Sequence, residues 1–488
     1  MSDLLKEGRL GPVKDEVVAY ISSAEYDKVL LDHVVRINQA HVVMMVEQGI
    51  LEKGVGAELA KALTKLGSIK LTKDVEDVHM RVEEEVTKLV GSKVGGNLHI
   101  AKSRNDQVST AIRMELRKRI LDLMESILGL QREMLTLAEK HKDVLIPGYT
   151  HLRQAQPITF AHYLLSHIDG LERDVERLKD AYPRVNRSPM GSCALATTSF
   201  PIDRERVAWL LGFEGVLENS LDAVEDRDFI LEVLADLTIL STHISRFAED
   251  LIIFSSPEFG ILEIPDLYSS TSSIMPQKKN PDVLEVVRAR MASLLGQFVT
   301  VTGMVRTLPS GYNLDLQEVT PKLWEALGYV KDAIEILRGL TPLLEVKGGN
   351  LSDYSTATEL ANTLFRRCGV PFRTAYKIVA SLVKELVKEG KPLSDTTPER
   401  LKEVAGRVAN LSIDIGEEEI RSALDPRHFI ESHRVRGGPA PQEVDRMLKE
   451  RRGWMDMYRG WIAGKKGELR RAEEGLEEAL RGLMKIKG

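Results

Sequence analysis

The sequence predicts an all-α protein of three helical domains arranged around a central bundle of long helices. Three observations carry this expectation. Ile112, Leu116, Ile120, Leu123, Ile127, Leu130, Met134 and Leu137 recur at steps of three or four, the period of one buried helix face. No proline occurs from Ser103 to Pro147, so a helix of roughly 35 residues, about 50 Å long, is expected. Such a helix is stable when it packs in a bundle or between subunits. Strand signals are weak throughout, and neither a G-x-x-x-x-G-K-[ST] loop nor a Rossmann glycine pattern occurs.

The elements follow in order. Residues 1–30 read as irregular. Val29, Leu30, Val34, Ile37, Ala40 and Val43 give a first helix over 26–48, ended by Gly49. A second covers about 56–66, and a third begins near Val75 and carries Glu76-Asp77-Val78-His79. Gly91, Gly95 and Gly96 open a loop that leads to Ser103-Arg104-Asn105-Asp106-Gln107 and the long helix. Gly148-Tyr149-Thr150-His151 breaks the chain again. Further helices are expected after Pro157, over 226–254, from Pro281, over about 321–343 and over 355–365. Gly369-Val370-Pro371 marks a change to shorter, more charged helices. Residues 425–441 read as a loop rich in Arg, His, Gly and Pro, and the tail from about Gln442 is helical again. The expected domains are 1–105, 106–365 with the bundle, and 366–488.

Bulk composition limits the function classes. The 488 residues are 43% hydrophobic and 29% charged, as in a soluble globular protein. Aromatics are only 5%, so the core must be aliphatic. A net charge of -6 gives no reason to expect a nucleic-acid partner. Two cysteines, Cys193 and Cys368, make no disulfide framework and suit a reducing cytoplasm. Cys193 reads as a packed thiol. No signal-like apolar segment opens the chain and no apolar run is long enough for a membrane span. His162 and His167, and His428 and His433, are five residues apart, the wrong spacing for a metal pair on one helix face. No metal and no cofactor are expected.

The stretch Ser269–Glu285, SSTSSIMPQKKNPDVLE, is the most unusual. Five consecutive hydroxyl residues disfavour helix. Two lysines then stand beside Asn280, a good N-cap, and Pro281, a good first helical residue. A hydroxyl-and-lysine loop running into the positive end of a helix suits an anion, or a carboxylate that gains charge during a reaction. A capped surface loop accounts for the composition equally well.

Thr271-Ser272-Ser273-Ile274-Met275-Pro276-Gln277-Lys278-Lys279-Asn280 resembles the signature loop of the fumarase/aspartase superfamily, G-S-S-x-M-P-x-K-x-N, with Thr271 in place of the usual Gly. Its Q-K-K-N-P-D ending looks like the argininosuccinate lyase branch. The likeness runs along nearly the whole chain. Ser23 and Asp27 match S-x-x-Y-D, Glu76 to His79 match E-D-x-H, and the stretch from Leu98 to Val108 resembles L-H-T-x-R-S-R-N-D-Q-V with Lys102 for Arg. Arg153-Gln154 stands for Q-R after Gly148 to Leu152. Asn219 to Val224 match N-S-x-D-A-V, and Glu225 stands where Ser is common. Tyr312 to Glu318 match Y-N-x-D-L-Q-E. Thr320 stands where the family often carries a substrate-binding Lys, with Lys322 two positions on.

The resemblance implies a fumarase/aspartase-like fold and a β-elimination that splits argininosuccinate into arginine and fumarate. The proton removed lies next to a carboxylate and is barely acidic, so the dianionic intermediate must be stabilised. Lys278, Asn280 and the helix start at Pro281 offer a cation, an amide donor and free N–H groups. Ser272 matches the catalytic serine and is expected as the base. His151, at a break between elements, is expected as the acid or its proton relay, with Glu285 as the carboxylate that orients it. The base and acid roles of Ser272 and His151 are interchangeable at this level. Ser23, His79, Ser103, Arg104, Asn105, Thr150, Tyr312 and Gln317 are expected to hold the substrate, with Asp27 at its cationic end. The resemblance also implies a cytoplasmic homotetramer with active sites shared between three subunits. Its rivals are another lyase of the superfamily, such as adenylosuccinate lyase or aspartase, and an idle structural relative of the crystallin kind. The Y-N-x-D-L-Q-E and S-R-N-D-Q stretches speak against the first, and intact Ser272, His151 and Lys278 against the second.

Overall fold

A computed structural model describes residues 14–66, 69–72 and 75–485. Part of the irregular 1–30 stretch, residues 1–13, lies outside it. The N-terminal helices are α1 (Asp15–Ile21), α2 (Leu31–Glu47), α3 (Lys53–Lys65), α4 (Val78–Val90) and α5 (Ser92–Gly95). The first long helix therefore starts five residues later than its apolar period suggested, because Asp27–Leu30 form a 3-10 turn first. The short α1 was not legible as a helix. It exposes Val17 and Tyr20 and buries only Val18.

The predicted long helix is α6 (Arg104–Lys140), 37 residues and about 55 Å. Ser103 caps it: its hydroxyl accepts the Asn105 N–H at 3.4 Å while the Asp106 carboxylate accepts the Ser103 N–H at 3.0 Å. Next come the strands β1 (Leu145–Thr150) and β2 (Arg153–Thr159), then α7 (Phe160–Val185), α8 (Arg204–Leu210), α9 (Ser220–Glu225) and α10 (Asp228–Ser255). After α10 lie β3 (Leu262–Glu263), β4 (Ser270–Thr271), β5 (Lys279–Asn280), α11 (Asp282–Val305), α12 (Asp315–Leu340) and β6 (Glu345–Val346). The expectation of α12 near 321 put its start six residues late. Leu316, Val319, Thr320 and Leu323 are buried in one stripe, and this packing carries the helix through Pro321.

Helices α6, α7, α10, α11 and α12 make the bundle, and their polar contacts fix neighbours and direction. Gln131 of α6 donates to the Ile168 carbonyl at 3.2 Å and Arg113 to the Arg184 carbonyl at 2.7 Å, so α6 and α7 run antiparallel. Asp174 to His243 at 2.6 Å and Asp250 to His167 at 3.0 Å join α7 and α10 antiparallel. Arg288 to Glu249 joins α10 and α11, Gln297 to Glu325 at 2.7 Å joins α11 and α12, and Ser126 to Glu335 at 2.6 Å returns to α6. His167 is thus a structural residue, as its spacing suggested.

Helices α13 (Ala357–Cys368), α14 (Phe372–Glu389), α15 (Pro398–Ala409) and α16 (Glu417–Leu424) surround a separate core that includes Leu364, Ile378, Leu382 and Leu401. The stretch read as a loop over 425–441 contains α17 (Pro426–Ser432), seated by buried Phe429 and Ile430. The last helix, α18 (Pro441–Met484), returns along the bundle, where Lys466 meets Asp122 at 2.7 Å and Arg451 meets Asp169 at 2.8 Å. No helix among the described residues is long and apolar enough to cross a membrane.

Candidate active-site elements

At the N-terminal end of α6 a small cavity of about 80 Å³ gathers Ser23, Asp27, His79, Arg104, Asn105, Tyr312 and Gln317. Seven sequence-predicted residues from distant stretches of chain thus share one wall system. Ser23 donates to the Asp27 carboxylate at 2.6 Å. Burial pushes the Asp27 carboxyl up to about 6; the Ser23 bond opposes this and the charge of Asp77 adds to it. Burial also pushes the His79 ring down to about 4, so it is neutral at pH 7. Arg104 pairs with Glu76 at 3.0 Å and Asp77 at 3.2 Å. The Asn105 amide donates to the Ala194 carbonyl at 2.9 Å, and the Gln317 amide to the Ile21 carbonyl at 2.7 Å.

Tyr26, Glu76 and Asp77 also line this cavity. Glu76 and Asp77 belong to the E-D-x-H stretch that also supplies His79, and that shared stretch is the signal for them in the sequence. Thr320 is on the wall and Lys322 is not, because positions two apart on a helix face different sides. Ser103 caps α6 and does not line the cavity.

Beneath the cavity Asp106 is fully buried and accepts the N–H groups of Ser103, Gly191 and Cys193 at 3.0, 3.0 and 2.9 Å. Asp106→Ala leaves three donors without an acceptor and is expected to cost about 3 kcal/mol or more. The check is the thermal midpoint at matched protein concentration. Cys193 is buried beside it with its thiol on the Ala101 carbonyl at 3.3 Å, and burial pushes that thiol up to about 11, as befits a packed residue.

The opposite end of α6 carries the His151 stretch. The break expected at 148–151 is an antiparallel hairpin, with Thr150 opposite Arg153. His151 and Leu152 are its two tip residues, both at φ 56°. Two successive left-handed residues are what a tight two-residue hairpin demands, and without Gly or Asn they store strain. The tip projects outward, with Leu152 67% exposed. Tyr149 anchors the hairpin against Phe259 and Phe254, with centroids 5.1 and 6.1 Å away. Gln154 ties it to the Asn350 carbonyl and the Ser352 N–H at 2.9 and 2.6 Å.

The hydroxyl-rich loop lies at this same end, between α10 and α11. β4 and β5 pinch its base, with Ser270 opposite Asn280 and Thr271 opposite Lys279. Thr271 sits in extended backbone, so the glycine of the related loop is not required here. Asn280 does not cap α11. It is drawn into the strand pair, and Pro281 takes the N-cap position with its carbonyl accepting from Leu284 at 2.9 Å. Ser270 donates to Asp282 and holds the helix start instead.

Within the loop, Ser272 Oγ accepts the N–H groups of Ile274 and Met275 at 3.3 and 3.1 Å. The two lysines differ. Lys279 pairs with Asp266 at 2.7 Å and Glu263 at 3.3 Å. Lys278 is exposed and its ammonium has no partner among the described residues. Glu285 is exposed on the first turns of α11, and no bond joins it to His151 within the chain.

The chain thus divides the predicted residues between two ends of its bundle. The α6 N-terminal end has the seven cavity residues. The other end has Thr150, His151, Ser272, Lys278, Asn280 and Glu285. A larger cavity, about 650 Å³, lies between α2, α6 and α18 and contains none of the predicted residues.

Comparison with known proteins points one way. A family profile described as "Lyase" matches residues 23–296, and one described as "Argininosuccinate lyase C-terminal" matches 354–431. The chain is 42% identical to an argininosuccinate lyase of Methanocaldococcus jannaschii, across 97% of this chain and 98% of that protein. It is 40% identical to one of Methanococcus maripaludis, across 98% and 100%. Among solved structures, EDDS lyase in complex with formate superposes with a TM-score of 0.85 at 27% identity, covering 99% of both chains. A class II fumarase of Schistosoma mansoni shares the fold, with a TM-score of 0.69 over 84% of this chain and 91% of that one at 16% identity.

Proposed function

The chain belongs to the argininosuccinate lyase family, and from that membership we propose how its own residues divide the work of the reaction. It is a carbon–nitrogen lyase that splits argininosuccinate into arginine and fumarate. A base takes the proton from the carbon next to a carboxylate. The carbanion, written as an aci-carboxylate dianion, expels the guanidinium nitrogen, which an acid protonates.

Ser272 is the base. The observation that carries this is its hydroxyl accepting two backbone N–H groups. Such donors favour the alkoxide over the alcohol. Lys278, the lysine without an ion-pair partner, stands six residues on and adds positive charge. Lys278, the Asn280 amide and the N-terminus of α11 hold the dianion. His151 protonates the leaving nitrogen or relays that proton, and the strained hairpin tip presents it outward. Glu285 of another subunit orients it. Arg104, Asn105, Tyr312, Gln317 and Thr150 hold the carboxylate and amino groups, Ser103 caps the helix that presents Arg104 and Asn105, Ser23 and His79 line the same end, and Asp27 takes the cationic end.

Two features support a homotetramer with shared sites. The two residue groups lie at opposite ends of a helix about 55 Å long, so one chain does not unite them. Leu295 and Val299 of α11, four residues apart on one face, are 57% and 60% exposed, apolar surface that a second copy would bury. Light scattering is expected to give four times 54.6 kDa.

The assay is the ultraviolet absorbance of fumarate with argininosuccinate supplied, and arginine should appear in equal amount. Fumarate without arginine, or neither product, would reject the reading. A pH prediction follows from Asp27. Its carboxyl lies near 6 rather than 3.8, so it loses its charge as pH falls through about 6. In the free enzyme this makes kcat/KM fall about tenfold per pH unit below that point. Ser23→Ala removes a bond that favours the carboxylate and should move this acid limb to higher pH.

A further inference from the structure

Tyr312 sits in the turn between α11 and α12. The turn is tied across to the end of α9: the Gly311 N–H donates to the Glu225 carboxylate. Gly311 adopts φ 99°, a conformation that needs glycine and that aims its N–H at Glu225. The Asn313 amide closes the turn on itself, donating to the Pro309 and Gly311 carbonyls at 2.9 and 3.0 Å. Two residues beyond Glu225, Arg227 is 2% exposed. Its Nη1 donates to the Val224 and Asp226 carbonyls at 3.2 and 2.8 Å, while Nε and Nη2 are buried with no hydrogen-bond partner among the described residues. Glu225, Arg227 and Gly311 line one cavity of about 420 Å³, distinct from the cavity that Tyr312 lines with Asn105 and Gln317. Burial pushes the Tyr312 phenol up, and Arg227 is the charge that opposes this most. The phenol lines the substrate cavity and lies within electrostatic reach of the buried guanidinium.

We propose that Glu225 is a positioning residue: it fixes the 308–314 turn and so sets the reach of Tyr312 into the substrate cavity. The inference rests on the reading of Tyr312 as a substrate-holding residue. A side chain that only sets the reach of a binding group affects substrate affinity more than the chemical step.

The test is a double-mutant cycle on the assembled enzyme. Glu225→Ala is expected to raise KM for argininosuccinate about tenfold with kcat within about twofold. Glu225→Gln, which keeps an acceptor oxygen, is expected to restore KM to within about twofold of wild type. Tyr312→Phe is expected to raise KM on its own, and adding Glu225→Ala to it should raise KM no further. Additive effects, or an unchanged KM in Glu225→Ala while Tyr312→Phe raises it, would overturn the positioning role alone. An unchanged KM in Tyr312→Phe would overturn the substrate-holding role of the phenol beneath it. Should Glu225→Ala fail to fold, Glu225→Asp, one methylene short of Gly311, is likewise expected to raise KM, and an unchanged KM there would overturn the positioning role in the same way.

Discussion

Ser272→Ala is expected to lower kcat by about three orders of magnitude or more while KM stays within a few-fold of wild type, a loss of about 4 kcal/mol of transition-state stabilisation. The argument is local. In the free enzyme the Ser272 hydroxyl is already an acceptor for two backbone N–H groups, which lowers the cost of its ionised form. Alanine removes the oxygen and leaves both donors aimed at an empty place. On the proposed assignment the substrate is held by other side chains, most of them lining the cavity at the far end of α6, so binding should survive. Lys278→Met should show a milder version of the same signature, about a hundredfold in kcat, since it removes charge from the intermediate but leaves the base. Lys279→Met should change little, because that ammonium is engaged by Asp266 and Glu263. Wild-type turnover in Ser272→Ala would remove serine from the chemistry and make His151 the base.

The helices were legible because a buried bundle forces a three-four period on every long element, and α6 keeps that period over its whole length. The polar clusters were legible through their residue types and their likeness to a known family. Local geometry was not. The hairpin at His151 has no Asn-Gly or Gly at its tip, and Gly148 and Pro147 argue against a strand. Packing of Tyr149 on Phe254 and Phe259 and the Gln154 bonds to 350–352 hold a turn that local propensity disfavours. Asn280 fails as a cap for the same kind of reason: pairing with Ser270 satisfies its backbone in a strand. Glu225 carried no sequence signal for its contact with the Tyr312 turn, since the bond joins residues more than eighty positions apart.

Mixing two dead variants is expected to restore activity. Ser272→Ala lacks the base at one end of the bundle, and Asn105→Ala lacks a substrate group at the other. If each active site draws these two positions from different subunits, a randomly mixed tetramer contains sites in which both are wild type. For equal amounts, each position is intact in half of the sites, so about one quarter of wild-type activity should return after dissociation and reassembly. Sites built within single chains predict no recovery at all, because every chain carries one lesion. The pair Ser272→Ala and Lys278→Met serves as the control. Both residues lie in one loop of one subunit, no reassortment unites two wild-type copies in a mixed chain, and each site receives one damaged loop or the other. Recovery with the first pair, and none beyond the residual activity of Lys278→Met with the second, would place the two ends of one chain in different active sites. Equal silence from both would confine each site to one subunit, and the separation of about 55 Å between its parts would then require a different assignment of the binding group.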